Sequence, residues 1–326
     1  MTGEETVLRL RREEFPVVDH CVYLNHAGNG PLPRRSGARM AAVADAVARS
    51  GDRFWLDRMA EVERVRGMAA QLLGARQPRE VAFVENTSAA LSMVAEGFDW
   101  QPGDNVVGAA LEFPSNVYPW MNLAARGVDY RQVPERDGRI DPDEGLATMD
   151  GRTRMLALSW VQYASGYRCD LARLGAACRE RGVLFVVDVI QGLGVLPLDV
   201  EASFVDVAAA AAHKWLLGPE GIGLLYISDR VIDRLRPVRA GWRSMRNPFH
   251  WTEYDLDFAE GAKRFESGTL NVYGIHALGG SLDILREVGA ETVEERVLGL
   301  TERAARGLAD LGFTLVSSRL PGETSG

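Results

Sequence analysis

The sequence predicts an α/β protein on a mostly parallel sheet, and three observations lead there. Short apolar runs alternate with amphipathic helical patterns over residues 81–228. The strongest run, within Gly182–Gln191, is continuously apolar up to Asp188, as a strand must be when both its faces are buried. Polar residues then stand where these runs end, at the sheet edge where α/β proteins bind ligands.

Composition narrows the class. A chain of 326 residues, 46% hydrophobic and 25% charged, has room for a large core and roughly two domains. The net charge of −8, without a basic block, argues against a nucleic-acid surface. No stretch approaches the ~18–20 apolar residues of a membrane span, and Met1 to His20 lacks the apolar segment of a signal peptide. A cytoplasmic setting is expected. Cys21, Cys169 and Cys178 are too few and too scattered for a disulfide framework or a zinc site, so no metal is expected.

In chain order, the first organised piece is Tyr23–Pro33, an extended loop whose Asn25 and His26 are polar candidates; His26 is as readily structural as substrate-facing. Helical patterns follow at 36–49 and 57–73. Val81–Val84 is a short buried strand, and Asn86-Thr87-Ser88 opens a helix after it. Thr87 and Ser88 there can cap the helix or, with its free N–H groups, receive a phosphate. Strands are expected at 105–110, 128–133 and 155–160, with helices at 141–149 and 171–181. Phe113, beside Pro114 at a strand end, can offer a stacking face or belong to the core. Tyr163 lies in a polar loop at another strand end. Asp188 can bond a pyridine nitrogen and Gln191 a phenolic oxygen, although an Asp at this point is common to many α/β enzymes. Residues 222–227 follow too closely for a helical crossover and should run antiparallel. The segment 236–271 is irregular and rich in Trp, Arg and Phe, as interface cores are. Helices at 272–287 and 291–311 precede a short strand expected at Phe313–Ser317.

One residue stands apart. Of the 37 basic residues only Lys214 and Lys263 are lysine, and Lys214 follows the apolar run Ala208–Ala212 and His213. Burial would lower the pKa of an ammonium there and prepare it for Schiff-base chemistry that a guanidinium cannot perform. Taken alone, Lys214 equally fits a surface lysine in an arginine-rich chain.

Its company supplies a resemblance. Asn86-Thr87-Ser88, Glu112-Phe113-Pro114-Ser115-Asn116, Asp188-x-x-Gln191, His213-Lys214 and Arg264-Phe265-Glu266-Ser267-Gly268-Thr269-x-Asn271 occur in the order seen in class V aminotransferase-fold enzymes. These are pyridoxal-phosphate (PLP) proteins of fold type I, including cysteine desulfurases, selenocysteine lyases, kynureninases and isopenicillin N epimerase-like proteins. The resemblance covers roughly residues 20–320, and the separation of Asp188 and Lys214 (214 − 188 = 26) is also similar. It implies Lys214 as the Schiff-base lysine and acid/base, and Asp188 as partner of the ring nitrogen. It further implies Gln191 on the phenolic oxygen and Thr87, Ser88 and His213 on the phosphate. Phe113 stands where desulfurases place a stacking histidine and, with Tyr163 and Trp242, resembles kynureninases, which implies Trp242 as a phosphate or substrate contact. Thr269 would reach the phosphate of a neighbouring subunit, which implies a homodimer.

The expected activity is lyase chemistry on a small-molecule amino acid, desulfurase- or kynureninase-like; the alternatives are transamination or epimerisation, or a truncated, weakly active homologue. Two departures bear on this. Ala211-Ala212 stand where many relatives have Ser or Asp and then Gly, and the substrate-carboxylate arginine and persulfide cysteine cannot be assigned. The resemblance divides the chain into an N-terminal segment (1–30) packing with the small domain, a PLP-binding large domain (31–283) and an incomplete small domain (284–326).

Overall fold

A computed structural model describes residues 3–326. Its helices are α1 (Gly3–Glu14), α2 (Arg34–Ser50), α3 (Trp55–Leu73), α4 (Thr87–Gly97), α5 (Tyr118–Met121), α6 (Pro142–Thr148), α7 (Leu171–Arg181), α8 (Val272–Val288) and α9 (Ala290–Asp310). The strands are β1 (Val81–Val84), β2 (Asn105–Ala109), β3 (Asp129–Val133), the hairpin β4 (Glu135–Arg136) and β5 (Arg139–Ile140), β6 (Thr153–Ser159), β7 (Leu184–Asp188), β8 (Val207–Ala211) and β9 (Gly223–Ile227). Seven of them form one sheet in the order β1-β9-β8-β7-β6-β2-β3. Neighbours from β8 through β3 are parallel, and β9 runs antiparallel to both β8 and β1, as the short connection requires.

β7 is the middle strand, and its alternation explains the two cores. Phe185 and Val187 join one cluster with Val65 and Leu73 of α3, Leu174 of α7 and Leu278 of α8. Leu184 and Val186 join the other with Leu91 and Val94 of α4 and Trp120 of α5. A strand apolar on both faces has nowhere else to be than between two helical layers. The alanine run that precedes Lys214 is itself a strand, β8. Alanine favours helix and is depleted in strands, so pairing with β7 and β9 overrides local propensity here.

Two segments differ from expectation. Gly3–Glu14 is a helix, lying against α8 and α2. The strand expected at Phe313–Ser317 does not form: the segment is coil, with Phe313 62% and Val316 65% exposed. No described strand pairs with it, and an apolar alternation cannot hold a strand without a partner for its backbone.

A buried ion pair fastens the sheet's β1 edge. Arg66 of α3 is fully buried, and its guanidinium makes bonds of 2.6 and 3.2 Å to Glu266 and a third of 2.8 Å to the carbonyl of Val81. Glu266 also accepts the N–H of Phe83 at 2.9 Å. The pair therefore joins α3, β1 and the segment that leads to Thr269. Removing Glu266 leaves the buried guanidinium with only the half-exposed Glu63, bonded at 3.2 Å, as a carboxylate partner and frees the N–H of Phe83. Glu266→Ala should cost about 3–5 kcal/mol in urea denaturation; a loss below about 1 kcal/mol would place the pair among interactions of surface strength.

Candidate active site

A cavity of about 590 Å³ opens at the carboxyl ends of β6, β7 and β8. Parallel strands bring it about: each ends at the same edge and each contributes the residues that follow. β6 ends in Ser159 and β7 in Asp188, paired across the sheet. β8 leads to His213 and Lys214, while β1 runs antiparallel to β9 and so delivers Asn86, Thr87 and Ser88 to the same edge. The hydroxyl of Thr87 accepts the N–H of Ala211 at 2.9 Å, which fixes the start of α4 against the end of β8. Its own proton remains available to the cavity. Asn86 caps α4 by accepting the N–H of Ala89 at 2.9 Å, while the first amides of the helix, Thr87 and Ser88, have no intrahelical acceptor.

The turn that carries Lys214 is held from two sides. Leu217 adopts a left-handed φ of 56°, sparsely populated for a non-glycine residue. Its carbonyl accepts the hydroxyl of Ser281 in α8 at 2.6 Å, and its N–H reaches the carbonyl of Lys214 at 3.1 Å. From the other side, Gly30 donates its N–H to the carbonyl of His213 at 2.7 Å. A Cβ at position 30 would stand 2.2 Å from the carbonyl oxygen of Lys214, so this approach needs glycine. Gln191 secures the same loop by donating to the carbonyl of Ala27 at 3.0 Å.

Burial governs the electrostatics. Asp188 is 2% exposed, and desolvation pushes its carboxyl up to about 7; the N–H of Ile190 and the Lys214 ammonium oppose that rise, and the charge of Glu112 adds to it. Burial also lowers the pKa of Lys214, with Asp188 pulling the other way. His213 is lowered by burial and by Lys214. Burial thus disfavours the charged form of both groups, while the charge of each opposes the shift of the other. Phe113 walls one side, its ring centre 5.6 Å from the Lys214 Nζ and edge-to-face with Tyr163 at 5.3 Å.

Nine of the sequence candidates line this cavity: Asn25, Thr87, Ser88, Phe113, Tyr163, Asp188, Gln191, His213 and Lys214. Three do not. His26 turns away and stacks on Trp215 at 5.2 Å, beside an apolar groove between α1, α8 and α9. Trp242 is packed near Phe249 and lines a separate hollow with Trp251 and Tyr254, and Thr269 is exposed on coil. None of the three cysteines lines the cavity; Cys169 and Cys178 are core residues whose thiols burial raises, and Cys21 is at the groove. Ser115 and Ser159 are additions, the former 2.7 Å from the hydroxyl of Ser88. Ser115 belongs to the motif that follows β2, whereas the only signal for Ser159 is its position at the carboxyl end of a strand. A larger hollow of about 890 Å³ among α2, α3 and α8 holds mostly arginines and acids paired with one another, as Arg39 is with Asp283, and offers no comparable chemistry.

The donor set fits PLP. The hydroxyls and amides at the start of α4 suit a phosphate. The raised carboxyl of Asp188 suits a protonated ring nitrogen, and the amine of Lys214 shares the cavity with both. The missing side-chain contact at Ala211 leaves these donors in place.

Comparison with known proteins agrees. The aminotransferase class-V family model matches residues 22–324. The chain is 30% identical over 296 residues to a probable cysteine desulfurase of Methanothermobacter thermautotrophicus, spanning 89% of this chain and 73% of that one. It is 32% identical over 302 residues to a cysteine desulfurase of Cronobacter sakazakii, at 87% and 73% coverage. Among solved structures, the apo cysteine desulfurase of Thermococcus onnurineus superposes with a TM-score of 0.87 at 25% identity, over 98% of this chain and 80% of that one. A lysine-to-alanine mutant of C-DES with glycine covalently linked to its PLP cofactor superposes with a TM-score of 0.84 at 27% identity, over 92% and 80%. A family model that spans the sheet, the cavity and both flanking helical layers leaves one conclusion: the chain belongs to the class-V aminotransferase family, PLP-dependent enzymes of fold type I.

Proposed function

We propose that this protein is a PLP-dependent lyase that breaks a bond at the β-carbon of a small amino acid, in the manner of cysteine desulfurases and cystine C–S lyases. The observation that carries the reading is the meeting of Lys214, Asp188 and the start of α4 in one cavity. The relatives named as desulfurases, and the match to the cystine lyase C-DES in complex with cysteine persulfide, support the choice of bond.

Bound PLP supplies an electron sink for the pair left at Cα. The residues of the chain do the rest. Thr87, Ser88 and His213 hold the phosphate, Gln191 bonds the phenolic oxygen, and Asp188 keeps the ring nitrogen protonated. Lys214, whose ammonium burial disfavours, would place its Nζ to accept the Cα proton and to return it. Phe113 and Tyr163 give one face of the cavity an aromatic wall, and Asn25 lies where substrate polar groups can reach it. A kynureninase-like lyase is the second reading, favoured by the aromatic pair Phe113–Tyr163 in place of a histidine. No described helix is long and apolar enough to cross a membrane, which is compatible with a cytoplasmic enzyme.

The working unit we infer is a homodimer. Trp242, Phe249, Trp251, Tyr254 and Leu256 are exposed together on one irregular segment, a patch of the kind that covers itself by association. Thr269, exposed here, would then serve the partner's phosphate.

Three outcomes are expected. Borohydride reduction of PLP-loaded protein followed by peptide mapping should find the pyridoxyl adduct on Lys214; an adduct on Lys263 refutes the assignment. Light scattering should give twice the 35.8 kDa chain mass, whereas a monomer with fully bound PLP contradicts the shared site. The third concerns pH. In the folded apo-protein Asp188 binds its proton up to about pH 7, against roughly 3.9 for an unfolded aspartate. The folded state therefore holds the extra proton, and this contribution is full below about pH 4 and lost as pH rises to about 7. Urea midpoints of the apo-protein should fall across that window relative to those of Asp188→Asn. Parallel curves for the two proteins would show that Asp188 titrates normally.

A further inference from the structure

Beneath the aromatic wall lies a second buried carboxylate that the chemistry above does not use. Glu112 is 6% exposed, and none of the described salt bridges includes it. Four neutral donors meet it instead. One oxygen accepts the N–H of Ser159 at 2.8 Å and the side-chain amide of Gln162 at 2.8 Å. The other accepts the hydroxyl of Ser159 and the amide of Asn116 at 3.0 Å. Asn116 is itself oriented by the indole N–H of the fully buried Trp120, at 2.9 Å. Burial raises the proton affinity of Glu112, and the four donors oppose it.

The chain positions of these partners give the cluster its meaning. Phe113 directly follows Glu112, and Tyr163 directly follows Gln162. The two rings are 45% and 49% exposed into the cavity, too open for packing alone to fix them, yet they meet edge-to-face at 5.3 Å with an interplanar angle of 81°. Among the described residues, only the Glu112 carboxylate bonds the loop after β2, through Asn116, to the end of β6 and the loop beyond it, through Ser159 and Gln162. We propose that Glu112 is a positioning residue: it clamps these two loops so that Phe113 and Tyr163 present one fixed face to the cavity, and it thereby sets which amino-acid side chains the site accepts.

The inference rests on the cavity being the PLP site for its second half only, since the geometry of the wall belongs to the chain itself. Glu112→Gln preserves volume but turns an amide NH₂ toward donors. Asn116 cannot reverse without giving up Trp120, so at least one bond is lost.

The test uses ¹⁹F NMR of fluorotyrosine-labelled protein, with the Tyr163 signal assigned by Tyr163→Phe, and then the visible circular dichroism of the PLP-loaded enzyme. In apo Glu112→Gln the Tyr163 resonance should shift or split. In the loaded enzyme the cofactor band should weaken at least about twofold, and kcat/KM for the preferred amino acid should fall about tenfold to a hundredfold, with discrimination against a second amino acid narrowed. Gln162→Met, which removes one donor, should move both signals the same way, and the double variant should add little. Thr153→Val, at the far end of β6, serves as a control that lowers stability without reaching the wall. If Glu112→Gln or, should that variant not fold, Gln162→Met leaves the Tyr163 resonance where the control does, Glu112 holds only the fold and the proposal is wrong. If the resonance moves but the wild type takes up no PLP, the clamp stands and the reading of the cavity fails.

Discussion

Burying Asp188 at the end of the middle strand removes a carboxyl from water, while the N–H of Ile190 offers it a single 3.0 Å bond. A rise from the ordinary aspartate range to about 7 corresponds to roughly 4 kcal/mol between the two protonation states. Only a proton or a cation brought into the cavity can offset a cost of that size, and the Lys214 ammonium, itself disfavoured by burial, does so in part. The site is built around this deficit. A ring nitrogen that carries a proton repays it, and the same pairing keeps that ring electron-poor, which is the property the proposed chemistry needs.

The sheet turns this local demand into a constellation. Because β6, β7 and β8 are parallel and β9 returns between β8 and β1, four strand ends meet on one edge. The small side chains of β8 matter here, for α4 packs directly against this strand and the Thr87 hydroxyl reaches the backbone of Ala211. The lysine turn is then fixed by groups distant in sequence: Ser281 of α8 on Leu217, and Gly30 on His213. Lys214 owes its position to backbone contacts that only a glycine and a left-handed leucine permit, so the residues that place it look unremarkable beside it in the sequence.

That difference marks what could be read from sequence. The middle strand, Asp188 at its end and the reversed β9 were legible because continuous apolar runs and short connections have few solutions. The nine residues that share the cavity were legible through motifs and strand ends together. β8 was not, because five alanines carry no strand signal and pairing alone decides them. His26 stayed open between a structural and a substrate-facing role, because a histidine in a polar loop gives no sign of which face it will take; stacking on Trp215 turns it out of the cavity. Trp242 and Thr269 sit outside this cavity, on irregular backbone whose placement no strand or helix pattern encodes. Phe313–Ser317 had strand-like alternation without an edge to join.

The two buried carboxyls at the cavity, Glu112 and Asp188, differ in their donors. Glu112 has both oxygens occupied by donors from three neighbouring residues, so its charge is spent on holding loops together and no lone pair is left facing the cavity. Asp188, one strand over from Ser159, receives far less and feels the Glu112 charge as a further push upward. Burial raises the proton affinity of both carboxyls, but four donors oppose the rise at Glu112, whereas at Asp188 only the N–H of Ile190 and the Lys214 charge do so. Exchange the donor sets and the wall would lose the bonds that join its two loops, while Asp188 would no longer be the carboxyl in want of a partner. One side chain is kept for position and the other for charge, and the distribution of backbone and amide N–H groups between them is what assigns the roles.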